Sequence, residues 1–159
     1  MIRGVLLAAA LAASACAGLP DFGRGAGPTG TFVIPTQLPN GRVELTIQPH
    51  YALGSTVTVP VAISATRGTI TGPLAARVLA SGINEGTSPA EVLVRSLVAT
   101  SVTAAAGQRR TTSVSWDGLD KQGRPVPADA YSLVLEFRLD GAGAETQGRA
   151  GVTLQLSAP

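Results

Sequence analysis

From Thr31 onward, apolar and polar residues alternate in short runs separated by turn residues, and a 3.6-residue helical period is nearly absent. The clearest run is Ser55 to Ser64, STVTVPVAIS, which sets Val57, Val59, Val61 and Ile63 on one face. Pro60 falls on the opposite face and lacks an N–H, so the pattern predicts an edge or a bulge there. Val43 to Gln48 alternates in the same way and follows the turn Pro39-Asn40-Gly41. Asn-Gly tolerates the positive φ of tight turns. Further strands are predicted at Thr31–Ile34 (stopped by Pro35), Thr69–Thr71, Glu91–Thr100, Arg110–Trp116, Tyr131–Leu139 and Arg149–Leu156. Leu74 to Ala80, LAARVLA, is ambiguous between a strand and a helical turn. The stretch Asp140 to Gly148 reads as the hairpin loop joining the last two strands. Seven or eight short strands at this spacing predict an all-β antiparallel sandwich.

The first thirty residues break the pattern. MIRGVLLAAALAASACAG places a cation, Arg3, before the apolar stretch Val5 to Ala13, and small residues before Cys16. These are the three parts of an export signal. The apolar run is far short of the roughly 20 residues needed to span a bilayer. Ala13-Ser14-Ala15-Cys16 satisfies the small-residue rule of ordinary signal peptidase. It also resembles a lipobox, in which the cysteine is acylated and becomes the mature N-terminus. Cys16 is the sole cysteine, so no intramolecular disulfide is possible, and acylation explains its presence in an oxidising compartment. Residues 1–15 are thus expected to be a signal peptide. Residues 16–30, beginning with a lipidated Cys16, are expected to form a Gly/Pro-rich flexible linker, and residues 31–159 one sandwich domain.

Composition narrows the function classes. The chain is 45% hydrophobic with 19 Gly and 11 Pro, which suits a turn-rich folded domain. Without Arg3, 11 basic side chains stand against 10 acidic ones, interspersed and away from aromatics. A nucleic-acid partner therefore lacks its electrostatic footprint. His50 is the only histidine and sits between two predicted strands, so it reads as a loop residue rather than as a zinc ligand or a member of a Ser-His-Asp triad. Asp117, Asp120 and Asp140 are potential calcium ligands, but their spacing lacks the D-x-D-x-D order, and loop aspartates commonly bond nearby backbone N–H groups. Arg109-Arg110 reads as a solvated pair. Trp116 is a potential sugar-stacking face, with core packing favoured. No enzyme, cofactor, metal site or small-molecule substrate is expected.

The most specific string is SVSWDGLDKQGRPVPADAY, Ser113 to Tyr131. It reads as a strand ending on Trp116, a turn-rich connection, and a strand opening on Tyr131. Pro125 and Pro127 fix φ around Val126. Trp116, Asp117, Gly118, Asp120, Gly123, Val126, Pro127 and Tyr131 match a pattern that resembles the C-terminal immunoglobulin-like domain of the flagellar hook-capping protein. Asp129 stands where that family has Gly. A weaker similarity is to the intracellular proteinase inhibitor family, whose inhibitory loop has no counterpart here. The resemblance implies an immunoglobulin-like sandwich. Together with the export signal it predicts a non-enzymatic cell-envelope lipoprotein, an interaction or structural module held at the membrane by its lipid and binding a protein partner. The alternative is a secreted inhibitor-like sandwich that presents a loop.

Overall fold

A computed structural model describes residues 30–82 and 90–158. The signal segment, Cys16 and all but the last residue of the expected linker lie outside the described residues. Those described form ten strands: β1 Phe32–Leu38, β2 Gly41–Ile47, β3 Tyr51–Ala52, β4 Val57–Ala65, β5 Thr69–Gly82, β6 Ala90–Leu97, β7 Val102–Ala105, β8 Arg109–Trp116, β9 Ala130–Asp140 and β10 Gln147–Ser157. They build two sheets, one ordered β1-β2-β4-β8 and the other β3-β10-β9-β5-β6, with β7 pairing the first part of β5. Pairing is antiparallel except for β3, which runs parallel to the end of β10. The fold is all-β and sandwich-like, with ten strands in place of seven or eight.

The core is what the alternation dictates. Val57, Val59, Val61 and Ile63 of β4 are buried, facing Leu133, Leu135, Phe137 and Leu139 of β9 and Val152, Leu154 and Leu156 of β10 in one hydrophobic cluster. Burying a side chain of this size stabilises a fold by about 1.5–3 kcal/mol. A β-rich chain short of aromatics needs many such positions, and this core rests on Val, Leu and Ile.

Four strand expectations change, each for a physical reason. Pro35 does not stop β1. Leu38↔Gly41 closes a two-residue turn, so counting back makes Pro35↔Glu44 a pair that exchanges no hydrogen bonds, and the missing N–H faces the free edge. Pro60 marks no bulge, and although β4 lies between β2 and β8 in the sheet order, the strand is an edge on its β2 side at Pro60. The β2 ladder ends at Leu45↔Val61, one residue short of it, while the β8 register runs through Pro60↔Ser113 unbroken. Thr69–Thr71 and Leu74–Ala80 are a single strand, β5, with register shifts against β9 between Thr71 and Ala75 and against β6 between Val78 and Leu79. Pairing with β9 on one side and β6 on the other settles Leu74–Ala80 as strand. The short β3 and β7 are additions.

Gly41 is also not used as expected. Its φ is not positive. A Cβ there would lie 2.2 Å from the Ser64 carbonyl oxygen and 2.9 Å from the Ala65 Cα, so glycine is needed for close approach. The neighbouring Asn40 is wholly buried. Its Nδ2 donates to the carbonyls of Thr69 (2.8 Å) and Asp140 (3.3 Å), while its own carbonyl accepts from the Thr66 N–H at 2.9 Å. One turn residue thus joins the β1–β2 hairpin to the β4–β5 turn and the end of β9. Both ends of the strand set lie at the opposite pole of the sandwich. Phe32 pairs Ile47, and Leu156 and Ser157 pair Tyr51 and Ala52, on either side of the short Gln48–His50 connection. The connection from Asp117 to Asp129 occupies this same pole.

Candidate functional site

The string from Trp116 to Tyr131 folds into one compact structure. Trp116 closes β8 with its ring buried, and its Nε1 donates to the Leu119 carbonyl at 2.9 Å. Tyr131 opens β9, and its ring meets Trp116 edge to face at 5.2 Å between centroids and 65° between planes, a favoured aromatic geometry. The Tyr131 hydroxyl donates to the Pro127 carbonyl at 2.9 Å. Burial first, and the nearby Asp129 charge second, push this hydroxyl above its ordinary range, so it stays a donor.

All three aspartates of the string accept hydrogen bonds from backbone N–H groups. Asp117 Oδ1 accepts from the Leu119 N–H at 3.1 Å. Asp120 Oδ1 accepts from the N–H groups of Gln122 (2.8 Å) and Arg124 (2.9 Å), and its Oδ2 accepts from Arg124 Nε at 3.0 Å. Gly118 and Gly123 supply the positive φ values, +73° and +76°, that the turns require. Val126 is buried, and its N–H donates to the Gly118 carbonyl at 3.1 Å. Asp129 accepts from the following Ala130 N–H with its side chain and from Leu156 with its carbonyl. Arg95 of β6 fastens the loop to the second sheet. Its Nη1 donates to the Asp120 carbonyl at 2.6 Å and its Nη2 to Asp117 Oδ2 at 3.2 Å. The sequence reading missed Arg95, because an arginine on the polar phase of a strand looks like a solvated charge.

The remaining candidates are scattered. Asp140 ends β9 and binds Thr69 Oγ1 at 3.1 Å, next to the Asn40 junction, so Asp117, Asp120 and Asp140 do not converge. Among the described residues no group of three His, Cys, Asp or Glu side chains is placed to hold a metal ion. His50 is exposed between β2 and β3. Arg109 reaches Glu44 at 2.9 Å. Trp116 is only 2% exposed, leaving no ring face for a sugar.

The loop does build a concave surface. A groove of about 640 Å³ runs between it and β6, lined by Val92 and Leu93 on one side and by Lys121, Arg124, Pro125 and Pro127 on the other. Val92 and Leu93 are 53% and 41% exposed, and β6 has no partner on its outer edge among the described residues. An apolar run such as EVLVRSLV reads as a buried strand. Its position at the sheet edge is what exposes it.

Two measurements test this geometry. Replacing Tyr131 with Phe removes one partly buried hydrogen bond and is expected to lower unfolding stability by about 1 kcal/mol, read as a shift in the urea midpoint. Asp120 is held below its ordinary carboxylate range, chiefly by the Arg124 N–H, with the Arg124 side chain and the Gln122 N–H adding to it. Its ionised form is therefore the folded partner. The loop contacts should persist above the ordinary carboxylate range and fade only as pH falls through the lowered value. Amide shifts of Gln122 and Arg124 should titrate together, with a midpoint below that of an unpaired aspartate.

Strand order and loop together define an all-β, sandwich-like domain with one capped end. No protein-family profile matches the chain, and no curated protein matches it. Solved structures that resemble it include Spo0M, the sporulation control protein of Bacillus subtilis, at 12% identity and a TM-score of 0.48, covering 84% of this chain and 51% of that one. A β-glucosidase from Listeria innocua, in complex with gluconolactone, gives 12% identity and a TM-score of 0.39 over 85% of this chain and 17% of that one. The chain thus spans about half of the first protein and about a sixth of the second. These findings overturn the resemblance to the hook-capping domain and to the proteinase inhibitor family. The matching residues are the parts of a self-satisfied turn: glycines at positive φ, aspartates on backbone N–H groups and an aromatic pair beneath. Any chain that caps a sandwich end can use them.

Proposed function

We propose that this chain is an exported, lipid-anchored, non-enzymatic module of the cell envelope, built on an immunoglobulin-like sandwich and working by protein contact. Export and anchoring rest on Arg3, the short apolar run and Cys16 after Ala13-Ser14-Ala15. For the immunoglobulin-like topology, the order β2-β4-β8 against β10-β9-β5-β6 corresponds to strands A-B-E against G-F-C-C′. The bond from Tyr131, at the start of the F-like strand, to a carbonyl four residues upstream is the tyrosine corner of such domains.

The observation that carries the interaction reading is the exposure of Val92 and Leu93 on β6, whose outer edge has no partner among the described residues, at the mouth of the groove. Adjacent apolar side chains left in water at an edge mark a contact surface. The test is cross-linking and recovery from envelope extract with the mature chain and with Val92→Asp/Leu93→Asp. A partner captured by the parent and lost from the variant, with an unchanged unfolding transition, is the expected result. Equal capture by both removes this surface from the function. The mass of the mature N-terminus tests the anchor separately, and an unmodified Cys16 defeats it.

A further inference from the structure

The other exposed apolar cluster lies where the described chain begins. Phe32, Val33 and Ile34 are 45%, 55% and 37% exposed. Side chains alternate along a strand, so Val33 lies on one face of β1 while Phe32 and Ile34 share the other. Phe32 and Ile34 pair Ile47 and Leu45, which places them on the core side of the sheet, and Leu45 is fully buried. Ile34 and Ile47 line an open cleft of about 520 Å³ with Glu91, Val134 and Val152 of the second sheet, which leaves this end of β1 partly in solvent. Apolar surface is therefore presented on both faces of one strand end.

We propose that Phe32, Val33 and Ile34 are a lipid-contact surface, by which the domain rests on the bilayer that its own N-terminal chain reaches. The inference relies on the lipid anchor at Cys16 proposed above. Three features favour a lipid surface over a protein strand. Pro35 removes a donor from the free edge of β1, so the edge is poorly made for adding a partner strand, while its side chains stay available. From Phe22 to Val43 there is no carboxylate, and the charges are Arg24 and Arg42, the latter paired with Glu44 at 2.6 Å. The stretch itself carries no charge that repels anionic headgroups, and the carboxylate nearest to the patch in space is Glu91, across the cleft that Ile34 lines. Finally, Gly30 lies 14 residues after Cys16, a separation that spans at most about 50 Å. Three side chains are too small a patch to hold a free protein on a membrane. A tether of this length raises the local lipid concentration to about the millimolar range, where so weak a contact is populated.

The test uses the mature chain from Cys16, coupled through its thiol to a maleimide lipid in anionic vesicles. Phe32→Trp places a reporter in the patch, and Trp116, only 2% exposed, is the shielded background. Brominated lipid is expected to quench the added emission, and Val33→Ser/Ile34→Ser in the same chain should abolish the quenching without moving the unfolding transition. No quenching in the tethered chain overturns the proposal. So does quenching that survives the serine substitutions. Shielding of the reporter from a water-soluble quencher without vesicles also overturns it, because the chain itself then covers the patch. The state of Cys16 in cells is read independently by N-terminal mass, so loss of the anchor reading is distinguishable from loss of the lipid contact.

Discussion

Replacing Trp116 with alanine is expected to destabilise the domain by about 4 kcal/mol, within the range for deleting a buried aromatic from a well-packed core. Three contributions converge on this residue. Its ring is 2% exposed and is among the largest fully buried side chains. It packs edge to face on Tyr131 at 5.2 Å, a contact that adds about 1 kcal/mol beyond area burial. Its Nε1 satisfies the Leu119 carbonyl, which the variant leaves without that donor. A domain with total stability of about 5–15 kcal/mol would lose a large fraction of it. Urea unfolding followed by circular dichroism would show the midpoint fall with the slope unchanged. Trp116→Phe separates the contributions, since it keeps most of the packing and gives up the hydrogen bond. Its loss should be about 1–2 kcal/mol. If Trp116→Ala were nearly neutral, the capped end would not be part of the cooperative core.

The second large effect is expected at the opposite pole, from Gly68→Ala. Gly68 has a φ of +58°, and a Cβ there would stand 1.9 Å from the Asp140 carbonyl oxygen and 3.0 Å from the Gly141 Cα. Both neighbours are backbone, so no rotamer change relieves the clash. The β4–β5 turn must move away from the end of β9, and the Asn40 bonds to Thr69 and Asp140 move with it. Overpacking at a close backbone approach costs about 1–3 kcal/mol, and an unfavourable φ adds to it, so about 3 kcal/mol is expected. Gly54→Ala is the control. Its φ of +78° is also positive, yet no atom lies within 4 Å of the Cβ position. The difference between the two variants in thermal or urea unfolding reads the steric part alone.

Much of the architecture was legible because burial is periodic. Tyr131 to Leu139 alternates cleanly, Val57 to Ile63 does so except at Ala62, which is also buried, and those phases are the ones that line the core. The connection after Trp116 was legible as turns because glycine and aspartate at those spacings have local uses. What escaped the sequence reading depends on partners distant in the chain. Asn40 looks like ordinary turn chemistry, and only the approach of Thr69 and Asp140 makes it a buried junction. β5 looks like two fragments around Gly72-Pro73, and only the ladders on either side join them. Val92 and Leu93 have the composition of a core strand, and their exposure follows from where β6 falls in the sheet order, which local pattern does not encode. The resemblance failed for the complementary reason. Its residues serve the turn they sit in, so their pattern reports a way of closing a sandwich end.

That Phe32 and Ser157 flank the same short connection also has a practical side. With both ends of the strand set at one pole, a cargo fused after Ser157 would emerge beside the point where the N-terminal segment joins β1. The β9–β10 turn faces the other way, and Gly143 there has open space around it. A cargo inserted at Gly143 would stand a full strand length away from that point.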